Sequence, residues 1–85
     1  IHDYTRAIQI NPEKASAFYN RGLSKDKLKD SYGAISDFNK AIEIDDQHQK
    51  AYIYRGYAKS DIGDHQGAIK DLTSAIEINP EDAYA

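Results

Sequence analysis

The sequence predicts an all-α protein built from antiparallel helix-turn-helix units of 34 residues. A repeat with that period runs along the 85 residues, and apolar residues recur three and four positions apart inside each repeat. The chain also lacks the sustained apolar–polar alternation and the Asn-Gly turns that indicate strands and hairpins. We therefore expect stacked helical hairpins and no sheet.

The repeat appears when residues 15–48 are aligned with residues 49–82. Thirteen of the 34 aligned positions are identical, and their first members are Ala17, Arg21, Gly22, Lys25, Asp30, Gly33, Ala34, Ile35, Asp37, Ala41, Ile42, Glu43 and Ile44. The register continues upstream, where Ile1, Tyr4, Ala7, Ile8 and Ile10 align with Ile35, Phe38, Ala41, Ile42 and Ile44. The period therefore covers the whole chain.

We expect one array over residues 1–85. Residues 1–14 are predicted to hold the second helix of a partial repeat and a linker, residues 15–48 and 49–82 two complete repeats, and residues 83–85 the start of another. Because the chain begins at an isoleucine and has no initiator methionine, we expect it to be part of a longer protein. Its first residues show no signal-peptide pattern.

Each unit is predicted to contain two helices. The first begins at Asn11-Pro12, where Asn caps and Pro occupies the first helical position, and Asp45-Asp46 and Asn79-Pro80 repeat this signal. The break between helices is predicted at Lys29-Asp30 and at Gly63-Asp64, since the glycine can end one helix and the aspartate cap the next. The second helix carries its apolar residues on one face, as Ala34, Ile35, Phe38, Ala41 and Ile42, and again as Ala68, Ile69, Leu72, Ala75 and Ile76.

Side-chain size predicts where the helices meet. Gly22, Gly56, Ala34 and Ala68 are small, which suits the close approach of the two helices of a hairpin. Larger residues are expected to fill the volume between units, namely Phe18, Tyr52, Phe38 and Leu72.

These positions closely resemble the signature of the tetratricopeptide repeat. The matching residues are Pro12, Phe18, Gly22, Ala34, Phe38 and Ala41, then Tyr52, Gly56, Ala68, Leu72, Ala75 and Pro80. The phrases at residues 19–22 and 67–71 are similar to those of bacterial repeat proteins. The resemblance implies a right-handed α-solenoid. The sequence departs from the family pattern at five positions: Arg21 and Arg55 replace Leu, Lys25 and Lys59 replace Tyr, and Asp46 replaces the linking Pro.

The resemblance also implies a function, which is to bind a protein or peptide in the concave groove lined by the first helices. Groove positions map onto Ser16, Tyr19, Asn20, Leu23, Asp26 and Lys27 in one unit, and onto Lys50, Ile53, Tyr54, Tyr57, Ser60 and Asp61 in the next. Tyrosine is favoured at interfaces, but Tyr19 and Tyr54 could equally pack between helices. The predicted partner-binding residues are Tyr19, Asn20, Leu23, Lys27, Lys50, Ile53, Tyr54 and Tyr57.

A sharper alternative is the carboxylate clamp of chaperone-binding relatives. Asn20 and Lys50 match two of its five positions, but Tyr54 stands where the clamp has Arg. The resemblance therefore favours another mode of binding.

Other functional classes find little support in the sequence. A net charge of −3 offers no basic patch for nucleic acid, and no apolar run is long enough to span a membrane. The absence of cysteine removes thiolate chemistry and fits a reducing, cytoplasmic location. His2, His48 and His65 lack metal-site spacing and are expected to be exposed. We expect no enzyme, metal or cofactor.

Two functions remain in competition. The first is a scaffold that binds a peptide or protein segment in the groove. The second is a self-association or structural module that forms a homo-oligomer through uncapped repeat ends, because stacked repeats normally end in a polar cap whereas Ile69, Leu72 and Ile76 form an apolar face on the last helix.

Overall fold

A computed structural model describes residues 12–78, which form four helices. They are α1 (Pro12–Lys27), α2 (Ser31–Ile44), α3 (Gln49–Asp61) and α4 (His65–Ile78). Helices α1 and α2 pack as one hairpin and α3 and α4 as a second, and α3 packs on both α2 and α1. No strand occurs within this range. The predicted all-α class, built from stacked helical hairpins, is confirmed.

The two hairpin turns use the same backbone device at the predicted break. Lys29 and Gly63 adopt the left-handed conformation, with φ of 65° and 88°. The amide of the following aspartate then bonds back to a carbonyl of the preceding helix, from Asp30 to Lys25 at 2.9 Å and from Asp64 to Lys59 at 2.8 Å. This is the Schellman arrangement that satisfies the last carbonyls of a helix.

Both aspartates then cap the second helix of their hairpin. The carboxylate of Asp30 accepts from the amide of Gly33 at 3.0 Å, and that of Asp64 accepts from Gly67 at 3.0 Å. These bonds satisfy amides that the helix itself leaves without partners, so the predicted caps are confirmed.

The predicted start of α3 at Asp45-Asp46 is wrong by about one turn. The helix begins at Gln49 and is capped by His48, whereas α1 begins at Pro12. Proline favours the first helical position, and Asp46 has no such constraint. The Asp45 carboxylate instead accepts from the amide of Gln47 at 3.1 Å, which holds a turn at this point.

Small residues and one phenylalanine form the core of the hairpins. Phe38 is fully buried, and a Cβ placed on Gly22 would lie only 2.6 Å from its Cε1 atom. A Cβ on Gly56 would lie 3.2 Å from both the Ala68 carbonyl oxygen and Leu72 Cγ. The helices therefore approach closely at both glycines. The buried apolar residues are Ala15, Ala34, Phe38, Ala41, Ala51, Ala58, Ala68 and Ala75.

A carboxylate lies buried between the helices of each hairpin. Asp37 is 1% exposed and Asp71 is 2% exposed. Asp37 accepts two hydrogen bonds from Arg21, at 2.9 and 2.7 Å, and Lys25 Nζ lies 3.1 Å from its Oδ2 atom. Arg21 and Lys25, two of the residues that depart from the family pattern, are therefore partners of this buried acid.

The second hairpin repeats this ion-pair arrangement. Arg55 donates to Asp71 at 2.8 and 2.7 Å, and Lys59 Nζ lies 3.1 Å from Asp71 Oδ2. The hydrogen bond from Arg21 is the main cause that lowers the pKa of Asp37 below its ordinary value. At Asp71 burial acts in the opposite direction, but the hydrogen bonds and charges of Arg55 and Lys59 outweigh it and lower the pKa. Both acids are therefore ionised at neutral pH.

Parts of the predicted array lie outside the described residues. These are the second helix of the partial repeat at residues 1–10, the start signal at Asn79-Pro80, and residues 83–85. The polypeptide from 12 to 78 contains no helix that is long and apolar enough to cross a membrane.

Candidate protein-binding groove

The first helices of the two hairpins bring three tyrosines together. Tyr19 lies on α1, while Tyr54 and Tyr57 lie three residues apart on α3 and so share one face. The ring centroids of Tyr19 and Tyr54 are 6.0 Å apart, and those of Tyr54 and Tyr57 are 5.7 Å apart in an edge-to-face contact. Such geometries are favourable between aromatic rings. We call these three residues the tyrosine cluster.

The tyrosine cluster is anchored in the core at one end and open at the other. Tyr19 contacts the fully buried Phe38, with ring centroids 6.0 Å apart. Tyr19 and Tyr54 are half-buried, whereas Tyr57 is 52% exposed. Tyr19 and Tyr54 thus pack between helices, which the sequence left open as an alternative, and they also extend an aromatic surface to Tyr57.

His48 completes this surface, and the sequence did not predict it. Its ring lies 4.8 Å from that of Tyr19, and its Nδ1 atom accepts from the amide of Ala51 at 3.2 Å. The expectation that His48 is exposed is wrong, since the residue is half-buried. The equivalent position in the first unit is Lys14, so the repeat pattern carried no signal for it.

The hydroxyl group of Tyr19 carries no charge at neutral pH. Burial, and then the proximity of Tyr54, raise its pKa above the ordinary value. The tyrosine cluster therefore offers aromatic faces and phenolic hydrogen-bonding groups. It suits apolar or uncharged side chains better than a fixed negative charge.

The remaining predicted groove residues flank the tyrosine cluster with mixed polarity. Leu23 and Ile53 are half-buried, and Asp26 is half-buried near the end of α1. The other predicted positions are exposed, namely Ser16, Asn20, Lys27, Lys50, Ser60 and Asp61.

A polar cleft brings three of these residues together at the C-terminal ends of α1 and α3. Its volume is about 490 Å³, and it is lined by Asp26, Lys27, Lys29, Ser31 and Asp61. Two aspartates and two lysines line it, so the cleft has no strong net charge. The structure therefore places an apolar aromatic patch and a polar cleft along the same pair of helices.

The residues predicted to pack are held by several kinds of contact. Phe18 is half-buried, and the cations of Arg21 and Lys40 lie 5.2 and 5.5 Å from its ring centroid. Tyr52 is half-buried, donates its hydroxyl to the carbonyl of Asp46 at 3.1 Å and lies under Arg55. The rest are buried or half-buried: Gly22, Ala34, Phe38, Ala41, Gly56, Ala68, Leu72 and Ala75.

No group suited to catalysis stands out in this surface. Residues 13–78 contain no cluster of three His, Cys, Asp or Glu side chains that could hold a metal ion. The two acids whose pKa is lowered, Asp37 and Asp71, are buried and engaged by Arg and Lys. The sequence signal that could have indicated these pairs is the recurrence of Arg, Lys and Asp at equivalent positions of the two units.

Comparison with known families gives one match, and it occurs twice. Residues 15–48 and 49–82 each match the family model described as tetratricopeptide repeat. Repeats of this family generally mediate protein–protein interaction and typically act as non-enzymatic scaffolds. No curated protein matches the chain. Since the two matches cover most of the sequence and the hairpins have the expected architecture, the chain belongs to the tetratricopeptide repeat family.

Proposed function

We propose that the chain is a scaffold that binds a peptide or protein segment in the groove lined by α1 and α3. The observation that carries the proposal is the tyrosine cluster, which runs without a break from the core at Phe38 to the exposed Tyr57. Aromatic side chains held by their neighbours lose little conformational freedom on binding, which is why they often dominate interface energetics.

The chemistry of the groove favours an apolar or aromatic anchor on the partner. Tyr54 occupies the position at which a carboxylate clamp has Arg, and its ring is engaged with Tyr19 and Tyr57. Lys50 and Asn20 are exposed at the edge of this surface, where they suit the polar rim of an interface. A partner segment would therefore insert an apolar side chain against Tyr57 and Ile53.

The test is capture of partners by a groove variant and by a matched control. Tyr57→Ala combined with Ile53→Ala removes the exposed end of the groove surface. Tyr32→Ala removes a tyrosine that is 72% exposed and belongs to α2, which is not one of the two helices that line the groove. Proteins that bind the wild-type chain, identified and then purified, should bind the Tyr32 variant equally well and lose affinity for the groove variant at least tenfold. Equal binding to all three, with helicity retained, would contradict the proposal.

A second candidate is self-association through the ends of the array. It is favoured by Ile69 and Ile76 on α4, which are 65% and 42% exposed. Exposed apolar surface of this kind is typical of an interaction site. Sedimentation of the chain across a wide concentration range tests this candidate, because a chain that remains monomeric throughout excludes it.

A further inference from the structure

Two consecutive residues of α3 hold this helix against both helices of the first hairpin. Tyr54 contacts the ring of Tyr19 on α1, with centroids 6.0 Å apart. Arg55 Nη1 donates to the side-chain oxygen of Asn39 on α2 at 2.8 Å. Because neighbouring residues of a helix point about 100° apart, the two contacts reach α3 from different sides. Together they restrict its rotation and its position along α1 and α2.

The other two nitrogens of the Arg55 guanidinium group are fixed on α4. Nε and Nη2 donate to the two carboxylate oxygens of the buried Asp71, at 2.8 and 2.7 Å. A guanidinium group is planar and presents its donors in fixed directions, so the direction of Nη1 is set once Asp71 holds the other two nitrogens. The hydrogen bond to Asn39 therefore forms at one particular placement of the second hairpin against the first.

The first hairpin has the same ion pair, but its arginine does not make the additional bond. Arg21 donates to Asp37 through Nε and Nη2, and among residues 12–78 no side chain accepts from its third nitrogen. The repeat position of Asn39 is threonine in the other two units, as Thr5 and Thr73. Asparagine places a carbonyl acceptor at the end of a longer side chain. The ion pair thus recurs with the repeat, whereas the additional bond depends on Asn39.

We propose that the hydrogen bond between Asn39 and Arg55, the hairpin bridge, fixes the placement of the two hairpins that the groove needs for binding. At this placement Tyr54 lies against Tyr19 and the tyrosine cluster is continuous. Asn39 and Arg55 act as positioning residues, because neither belongs to the tyrosine cluster and both act through α3. This inference rests on the proposed function of the groove.

A directional bond matters here because the buried residues of α3 are small. They are Ala51, Gly56 and Ala58, and the hydrophobic effect that holds such surfaces together is non-directional. Small side chains therefore leave α3 able to slide or rotate on α2 at little cost. A hydrogen bond, in contrast, weakens steeply as its angle departs from the ideal. Without the hairpin bridge the two hairpins should adopt a range of angles, and a fraction of these would separate Tyr54 from Tyr19.

The expected effect on binding is modest. A protein that is partly in a binding-competent conformation binds with its affinity reduced by the competent fraction. The hairpin bridge is one hydrogen bond to a charged group at an exposed site. Its removal should therefore lower the affinity for a groove partner about threefold to tenfold and leave both hairpins folded.

Spin labels on the two hairpins measure their relative placement without any partner. The chain has no cysteine, so Ser24→Cys on α1 and Thr73→Cys on α4 provide two unique labelling sites at exposed positions. Double electron–electron resonance should give a narrow distance distribution when the hairpin bridge is intact. Asn39→Ala should broaden this distribution without loss of helicity, because the ion pair of Arg55 with Asp71 remains. A distribution that stays narrow in Asn39→Ala would overturn the proposal.

Two further variants distinguish positioning from stability. Arg21→Lys disrupts the equivalent ion pair of the first hairpin, so it should lower the free energy of unfolding without broadening the distance distribution. Asn39→Asp keeps an acceptor oxygen for Arg55, so its distribution should remain narrow. Equal broadening in Arg21→Lys and Asn39→Ala would show that the distribution follows stability alone, and it would contradict a positioning role.

Affinity for a partner separates this inference from the groove itself. The probe is a partner that has been identified and purified with the wild-type chain, as described for the groove variants. Asn39→Ala should bind it about threefold to tenfold more weakly, and Asn39→Asp should bind it like the wild type. A broadened distribution with unchanged affinity would overturn the inference and leave the groove proposal intact. Normal binding by the variant with Tyr57→Ala and Ile53→Ala would instead overturn the groove proposal, and with it the role of the hairpin bridge in binding.

Discussion

The guanidinium group of Arg55 holds the carboxylate of Asp71 with two parallel hydrogen bonds, from Nε to Oδ2 at 2.8 Å and from Nη2 to Oδ1 at 2.7 Å. Its remaining nitrogen, Nη1, donates to Asn39 on α2 at 2.8 Å. A single side chain of α3 therefore joins both helices of its own hairpin and the second helix of the preceding one. Arg21 forms the same pair with Asp37, but its side chain is 56% exposed, compared with 16% for Arg55.

Arg55→Leu should destabilise the chain by roughly 3 kcal/mol, because Asp71 would remain buried with Lys59 as its remaining charged partner among residues 12–78. Arg21→Leu should cost clearly less, since Arg21 is more exposed. Urea denaturation at pH 7 measures both. The double variant Arg55→Leu with Asp71→Leu should regain most of the loss, because an apolar pair can replace a buried ion pair. Equal losses in the two single variants would show that burial does not govern the strength of these pairs.

Stability should fall in acid because of the two buried acids. The pKa values of Asp37 and Asp71 are lower in the folded chain than their ordinary value. Their contribution is thus fully present above about pH 4, the ordinary pKa of a carboxyl group, and is lost as the pH falls from there toward the folded pKa. Urea midpoints measured between pH 7 and pH 3 should show this decline. Asp37→Asn with Asp71→Asn should be less stable at pH 7 and flatter in acid, and an unchanged acid slope would contradict the assignment.

Lys29→Gly should stabilise the chain by about 0.5–1 kcal/mol. Lys29 has a φ of 65°, a conformation that strains any residue with a Cβ atom and that glycine adopts freely. Gly63 occupies the equivalent turn with a φ of 88°, so Gly63→Ala should have the opposite sign and a similar size. Thermal unfolding of both variants measures the effect. A loss of stability in Lys29→Gly would indicate that the lysine side chain contributes more than the strain costs.

Gly22→Ala should destabilise the chain by roughly 1–3 kcal/mol, although glycine to alanine inside a helix is normally favourable. The added methyl group would lie 2.6 Å from Cε1 of the fully buried Phe38, whose ring would have to move. Gly56→Ala is the matched comparison, with its nearest contacts at 3.2 Å, and should cost less. Chemical denaturation measures the stability of both variants. A Gly22→Ala variant that is more stable than the Gly56→Ala variant would contradict the close approach at Gly22.

Local signals predicted the helix ends well where a short-range bond decides them. Asp30 and Asp64 cap the helices that follow them, and Gly63 takes the left-handed backbone at the predicted break. The start of α3 was predicted too early, because Asp46 aligns with Pro12 without sharing its restricted backbone. His48 caps the helix instead, and the equivalent position in the first unit is Lys14, so the repeat offered no histidine from which to predict it.

The candidate groove was only partly predictable. The repeat register placed Tyr19, Tyr54 and Tyr57 on the first helices, but contact between Tyr19 and Tyr54 requires α1 and α3 to lie side by side at one particular distance. The recurrence of Arg21 and Arg55 was visible in the sequence, but their partners were not, because the partner of each lies 16 residues away on another helix. Contacts between residues this far apart in the sequence are set by the packing of the helices and not by local preference.

The amino-acid order is enough to predict the 34-residue period, the two helices of each unit, the hairpin turns and the buried small residues, because each depends on spacing or on bonds within a few residues. Contacts between helices establish which charges are buried together, how the tyrosines join into one surface, and that Ile69 and Ile76 are exposed while Ile35 and Ile42 are half-buried. Such contacts cannot be predicted from the period alone, because identical residues in a repeat can meet different neighbours. Among the described residues, the isoleucines of α2 are half-buried because α3 packs on that helix, and those of α4 are exposed.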